Sequence, residues 1–473
     1  MKTGNRIGSV NLKPLQRVVI RSTMLISCCV VQLVFLNSAE AQDQDAAIQK
    51  LIGSAVSDVG PEYRGIGDAI VRFSNRDFEG AKLLLEKAQR EHPELAPVGV
   101  MMGQLYRAAN NGGAARVSLE QAVRDNPDDP EAYIHFADNA LQQRRFTDAH
   151  LIYTKAKELC DVYTLNPKRK RNLGTRALNG MATIAEARQQ WEVAEEFLRQ
   201  VVEAEPEDAG PQTRLGRALF QQDRFEEAYA IFKKVRDLDP LKNPLAEINM
   251  AQLYQQGGKN ANAKKLIGLA RERDSQGINT QLAAARWAVQ TGDASLAKEA
   301  TQVAKSIDTS LIDVHILEGF LARYEDDYDT AEKALETAHL MSPANGAVLN
   351  QLPALLVEQP DEAKRAKALE YARLNSMVYN DRAKPSGRNA AAVLAWVLHS
   401  LGNTVQAQQQ LQAVIQSGGV TDADATYYIA KILDIGGRPE AARQLLKPVM
   451  SSKQLFPSRP DAEALYAKVG SAN

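Results

Sequence analysis

The stretch APVGVMMGQLYRAANNGGAARVSLEQAVRDNP, Ala96 to Pro127, places Gly103, Tyr106, Ala115, Leu119 and Ala122 ahead of its closing proline. Pro93 stands 34 residues before Pro127, and Pro206 and Pro240 are separated by the same interval. A fixed period of this length marks a solenoid, in which each unit is a helix pair that cannot bury its apolar face alone. Two helices approach closely only where side chains are small, so Ala and Gly mark the crossing points and Leu and aromatic residues fill the space beside them. Proline cannot continue a helix and turns the chain into the next unit. A generic helical bundle would not hold this register from unit to unit.

The same pattern recurs along the chain. From Pro130 come Tyr133, Phe136, Ala137, Ala149, Tyr153 and Ala156; from Ala209, Leu215, Gly216, Ala228, Phe232 and Pro240; from Ile312, Gly319, Ala331, Leu335, Ala338 and, one residue late, Pro343. These positions resemble the tetratricopeptide repeat, W-x2-L-G-x2-Y, then A-x3-F, then P. The resemblance covers nearly everything after the first ~60 residues. It implies an all-α fold, a right-handed α-solenoid of about eleven antiparallel helix pairs. Units 1–3 are expected over residues 62–161, units 4–9 over 175–374 with the ninth degenerate at Pro353, and units 10–11 over 388–456. A helical lead-in at 42–61 precedes them, and a capping helix and tail at 457–473 follow. Two stretches break the period: an insertion at 162–174, with Asn166-Pro167 reading as a helix start, and a loop or joint at 375–387.

The first 41 residues read differently. Lys2, Arg6, Lys13, Arg17 and Arg21 precede the apolar run Met24 to Leu36, and Ala39-Glu40-Ala41 follows it. This is the form of a secretory signal peptide cut after Ala41, which predicts a periplasmic or secreted protein with no membrane span after cleavage. The alternatives are a tether through an uncleaved signal, or through lipidated Cys28 in Leu25-Ile26-Ser27-Cys28. Cys28 and Cys29 fall in the signal, leaving Cys160 alone, so stacked helices rather than a disulfide must stabilise the rest.

The whole chain has 57 Lys and Arg against 58 Asp and Glu; without the signal's five basic residues and Glu40 the counts are 52 and 57, a net charge of −5. That balance argues against nucleic acid as a general partner, since phosphate binding needs net positive charge. The run Lys168-Arg169-Lys170-Arg171 is the local exception and reads as a solvated helix face, with docking of an acidic partner as its functional alternative. Glu325-Asp326-Asp327-Tyr328-Asp329 reads as a solvated turn, since it lacks the spacing and glycine of a calcium loop. No hydrolase elbow, zinc motif, paired C-x-x-C or phosphate loop is present, and the six histidines are scattered. The expectation is therefore a binder with no enzyme activity, no cofactor and no metal.

The family resemblance also implies that first helices line the concave, ligand-facing side. By register the central units present Asn179, Thr183, Thr213, Arg217, Ile248, Gln252 and Arg286, and later units Phe320, Arg323, Trp396, His399 and Tyr427. The middle of that groove is expected to be polar and partly basic, and the C-terminal part more aromatic, with arginine and aromatic side chains as favoured anchors. The lysine-and-asparagine set of a two-carboxylate clamp is not reproduced at Asn179, Thr183 and Arg214. The reading is an exported scaffold or assembly factor that binds a protein or peptide in the cell envelope. Two others stand beside it: a structural part of an envelope export or polysaccharide-secretion machine, and a carbohydrate-binding envelope protein using Trp396 and Tyr427.

Overall fold

The computed structural model describes residues 45–470. After a helix at residues 45–52, helices follow in eleven pairs from Arg64–Ser74 with Phe78–Glu91 to Ala423–Ile435 with Pro439–Ser451, and a last helix, Arg459–Gly470, closes the series. No strand occurs among the described residues. The signal-peptide and Cys28 readings lie outside them. No helix among them is long and apolar enough to cross a membrane.

The 34-residue period has a backbone counterpart. The turn inside almost every pair contains one residue in the left-handed region: Arg76, Asn110 and Arg144 at 34-residue intervals, then Gln189, Asp223, Gly258, Gly292, Asp326, Gly402 and Gly437. The step from Arg144 to Gln189 is longer because the fourth unit begins with an extended helix, Pro167–Ala187, whose Asn166 side chain accepts from Arg169 N–H at its N-terminus. Pro93, Pro127, Pro206, Pro240 and Pro343 each stand two residues past the end of a second helix. Each helix therefore stops where its proline would otherwise remove a backbone donor.

The ninth unit is a helix pair despite its sequence. Pro353 lies inside Gly346–Val357. With no N–H there, the carbonyl of Leu349 loses its helical partner. Fully buried Asn375 supplies it, donating from Nδ2 to Leu349 O at 3.0 Å. That same residue corrects the expected loop at 375–387: helix Glu362–Val378 runs through Asn375, the next begins at Pro385, and only 379–384 lie between.

The chain divides into two compact units, up to Ala228 and from Tyr229, with the division inside helix Phe225–Leu238 rather than at either break in the sequence period. In the first unit, Ile48, Leu51 and Ile52 of the N-terminal helix join a core with Ile66, Leu85, Met101 and Leu119. Its trailing carbonyls are gripped by the insertion: Asn166 donates to Ala55 O at 2.9 Å, Asn172 to Ser54 O at 3.1 Å, and Lys168 to Val56 O. The basic run is thus mostly structural. Arg169, expected on a solvated face, is 1% exposed and donates to Asp129, Glu131 and the Tyr163 hydroxyl. Lys170 donates to Asp161 O at 2.6 Å, and Arg171 alone is exposed.

Small residues hold the pairs together. A Cβ at Gly180 would run into the ring of Tyr153, which is buried and donates to Asp138. Gly180→Ala is expected to destabilise the first unit by about 2 kcal/mol, because overpacking there exceeds the helix-propensity gain. Gly268→Ala, in a helix where nothing lies within 4 Å of the added carbon, should stabilise by ~0.5–1 kcal/mol. Chemical denaturation of the two variants should therefore give shifts of opposite sign; equal shifts would remove Gly180 as a packing position.

In the second unit, residues 248–321 form one apolar cluster with Leu455, and residues 322–469 a larger one. Helix Arg459–Gly470 buries Ala462, Leu465 and Val469 against the last pair.

Candidate binding surface

From the second pair onward, the first helices of the first unit are joined by a polar ladder, each reaching the next. Gln104 donates to Glu131 at 3.2 Å, and Arg107 to Nδ1 of His135 at 2.9 Å. Burial, then the charges of Arg176 and Arg107, pushes His135 down to about 3, so it remains a neutral acceptor near pH 7. Arg176 pairs with Asp138. Asn179, Thr183 and Glu186 lie about one turn apart on a single helix face. Arg214 reaches all three, donating to Asn179 Oδ1 and Thr183 Oγ1 at 3.0 Å each and to Glu186 at 2.9 Å. Arg217 donates to the other Glu186 oxygen at 2.7 Å.

Asn179, Thr183 and Arg217 are thus gathered at one place, half-buried, with part of each open to solvent. Thr213 sits on the same helix as Arg217 and donates its hydroxyl to Ala209 O. Of the two residues that organise this site, Arg214 enters the sequence reading only as a failed clamp position, and Glu186 does not enter it. The one available signal for Glu186 is that it falls on the helix face set by Asn179 and Thr183.

In the second unit, Ile248, Gln252 and Arg286 line one cavity of about 350 Å³. Gln255, Gln290 and Trp287 complete its wall, and Gln255 donates to Gln290 at 2.8 Å. Ile248 is buried and forms apolar lining, while Gln252 and Arg286 are exposed. Arg286 pairs with Asp313 at 2.7 Å, about half of each side chain remaining in water. Amide side chains both donate and accept, so this wall can match the alternating N–H and C=O groups of a peptide backbone.

The later groove residues require correction. Arg323, Trp396 and Tyr427, expected to face a ligand, are 4%, 8% and 3% exposed. Phe320 and His399 are half-buried. Arg323 donates to Glu358 at 3.2 Å and to Ser458 Oγ at 3.2 Å, and its guanidinium lies over the Tyr428 ring. Trp396 stacks on Tyr428 with centroids 5.5 Å apart. At Arg323 it is the chain itself that closes this surface: Ser458, between the last two helices, accepts from Arg323 and donates its N–H to Asp424. No periodic position encodes that contact.

Other features are structural. In the acidic run, Asp327 caps a helix by accepting from Thr330 N–H, and Glu325 pairs with Lys298 at 2.7 Å. Cys160 is buried, and burial pushes its thiol up to about 12, so it is not a reactive thiolate. A second cavity, of about 490 Å³, lies among Arg107, Arg116, His135, Asn139 and Arg145. It mixes first- and second-helix residues, so first-helix register alone does not predict it.

A tetratricopeptide repeat family model matches residues 72–134 and 185–241. Those two stretches are tetratricopeptide repeats. Solved structures similar to this tetratricopeptide array include the yeast Tom70 structure, 16% identical over 86% of this chain and 95% of that one, TM-score 0.34. The Cut9–Hcn1 hetero-tetramer of the APC/C matches at 13% identity over 87% and 96%, TM-score 0.39. YrrB, described as a TPR protein with an unusual peptide-binding site, matches at 17% over 41% and 94%, TM-score 0.31. No curated protein sequence matches this chain. The repeat family accounts for helix pairs built to bind other proteins; it names no partner.

Proposed function

We propose that this protein is an exported tetratricopeptide scaffold that binds a protein or peptide of the cell envelope. Binding falls to the polar first-helix surfaces around Asn179, Thr183 and Arg217 and around Gln252 and Arg286. The observation that carries this reading is the amide-and-arginine cavity at Gln252 and Arg286, the expected groove position that is both open and hydrogen-bonding. Export is inferred from the basic-apolar-small order of the first 41 residues. The reading assigns no catalytic residue, cofactor or metal, and no nucleic acid as partner.

The test is recovery of a partner from the envelope fraction on tagged full-length protein. Arg286→Glu removes an exposed pair with Asp313, so the melting temperature should change little. Recovery should fall roughly tenfold, as expected when an interface arginine is lost. Arg217 should be changed to Gln, because a glutamate there would face the mostly buried Glu186 carboxylate and disturb the fold. Undiminished recovery by both variants removes these surfaces from the binding site. Recovery of membrane channel subunits would indicate the export-machine role instead.

A further inference from the structure

We propose that the cavity among Arg107, Arg116 and Arg145 in the first unit takes an acidic side chain of a partner peptide. This adds a contact to the peptide-binding reading and rests on it. The cavity, of about 490 Å³, opens where the second helix pair turns and packs on the third. Three arginines line it, and no aspartate or glutamate does. Arg116 pairs with Glu120 at 2.7 Å and Arg145 with Asp148 at 3.1 Å, but both pairs are exposed, where ion pairs contribute little. Arg107 forms no ion pair among the described residues. It donates to Nδ1 of His135, which burial keeps neutral, so no carboxylate compensates its charge.

The repeat period sets this cavity apart from its neighbour. One repeat earlier, the equivalent cavity is walled by Phe73, Phe78 and Tyr106, whose ring centroids lie 4.9, 5.1 and 5.4 Å apart. Advancing each position by 34 residues gives Arg107, Gly112 and Ala140. Phe225 likewise begins a second helix and meets Phe220, five residues before it, at 5.1 Å. In the second pair the aromatic is replaced by Gly112, and a Cβ there would find nothing within 4 Å. Arg107 is therefore exposed beside space that a ring takes one repeat earlier. The helix starting at Gly112 adds the positive end of its dipole to the same cavity. Asn139 and Gln142 supply amides, which both donate and accept and so suit the peptide backbone on either side of an acid. A guanidinium holds a carboxylate through two parallel bonds, which makes aspartate or glutamate the fitting side chain. An enclosed cluster of this kind suits a carboxylate better than the continuous phosphate track of a nucleic acid.

The experiment uses the full chain and rhodamine-labelled probes read by fluorescence anisotropy. The probes are an end-capped Gly-Ser-Asp-Asp-Ser-Gly peptide, the same peptide with Asn for both Asp, and an oligouridylate of equal charge. Wild type should bind the acidic peptide roughly tenfold more tightly than the amide peptide. Gly112→Phe keeps every charge and installs the residue type of Phe78. It should lower the acidic peptide's affinity roughly tenfold, with an unchanged or raised melting temperature. Arg107→Gln should lower it about as much, while Lys265→Gln, the same loss of charge at an exposed position of the second unit, should leave it unchanged. Equal affinity for the two peptides, or equal binding by wild type and Gly112→Phe, overturns the proposal. An equal loss from Lys265→Gln would make the attraction diffuse and overturn it too. Tighter binding of oligouridylate than of the acidic peptide overturns the peptide assignment. None of these probes enters the recovery test at Arg286 and Arg217, so failure here is distinguishable from failure of the scaffold reading.

Discussion

Arg169→Met lowers the stability of the first unit by about 3–5 kcal/mol, measured by chemical denaturation, because it strands two carboxylates in a dry site. Arg169 donates to Asp129 at 2.6 and 2.8 Å and to Glu131 at 2.8 and 3.0 Å, with 1% of its side chain exposed. Methionine fills similar volume but supplies no donor, so the loss is electrostatic rather than a cavity effect. The same cause predicts a rescue. Adding Asp129→Asn and Glu131→Gln to the same chain should recover much of the loss, since removing every charge of a buried cluster is far cheaper than removing one. Asp129 caps the helix that starts at Pro130 by accepting from Glu131 N–H at 3.0 Å, and an asparagine side chain can accept that bond equally well. A cost below ~1 kcal/mol for Arg169→Met would return the basic run to the solvated face first expected of it.

Asp424→Asn makes the second unit more stable at pH 7–8 and flattens its dependence on pH. Burial pushes the Asp424 carboxyl up to about 6; Asp422 adds to the rise and Arg323 opposes it. Glu358 is raised mainly by burial, and Tyr428 and Ser458 complete the surroundings. The sign follows from the folded value lying above the unfolded one, near 3.8. The protonated form favours folding, so its contribution is full below about pH 4 and disappears as pH rises through about 6. A shift of this size is worth on the order of 3 kcal/mol. Asparagine keeps an acceptor for the Ser458 amide without the charge. Melting curves of wild type should fall between pH 5 and 7 relative to Asp424→Asn; parallel curves would remove Asp424 from the linkage.

What the sequence disclosed was whatever repeats. Ala115, Leu119 and Ala122 recur in register because every pair crosses its neighbour in the same way, and the prolines recur because every second helix must end. The pattern weakened at Pro353, where helix continuity depends on one amide, Asn375, 22 residues later in the chain. The contacts made once were not legible. Asn166 meets Ala55 across 111 residues, and Ser458 meets Arg323 across 135. Neither has a period. This is why the central groove positions Asn179, Arg217, Gln252 and Arg286 are accessible surface, while Arg323, Trp396 and Tyr427, in equivalent register, are interior. Register tells which face a residue is on. It does not tell whether another part of the chain lies over that face.

The most direct test of a first-helix binding surface compares the two helices of one pair. A photo-crosslinking amino acid at Gln252, on the helix Ala246–Gln256, is set against one at Lys265, exposed on Asn260–Arg273. In cells, Gln252 should yield a discrete crosslinked partner that Lys265 does not. Equal crosslinking at both positions, or crosslinking at Lys265 alone, would contradict the assignment.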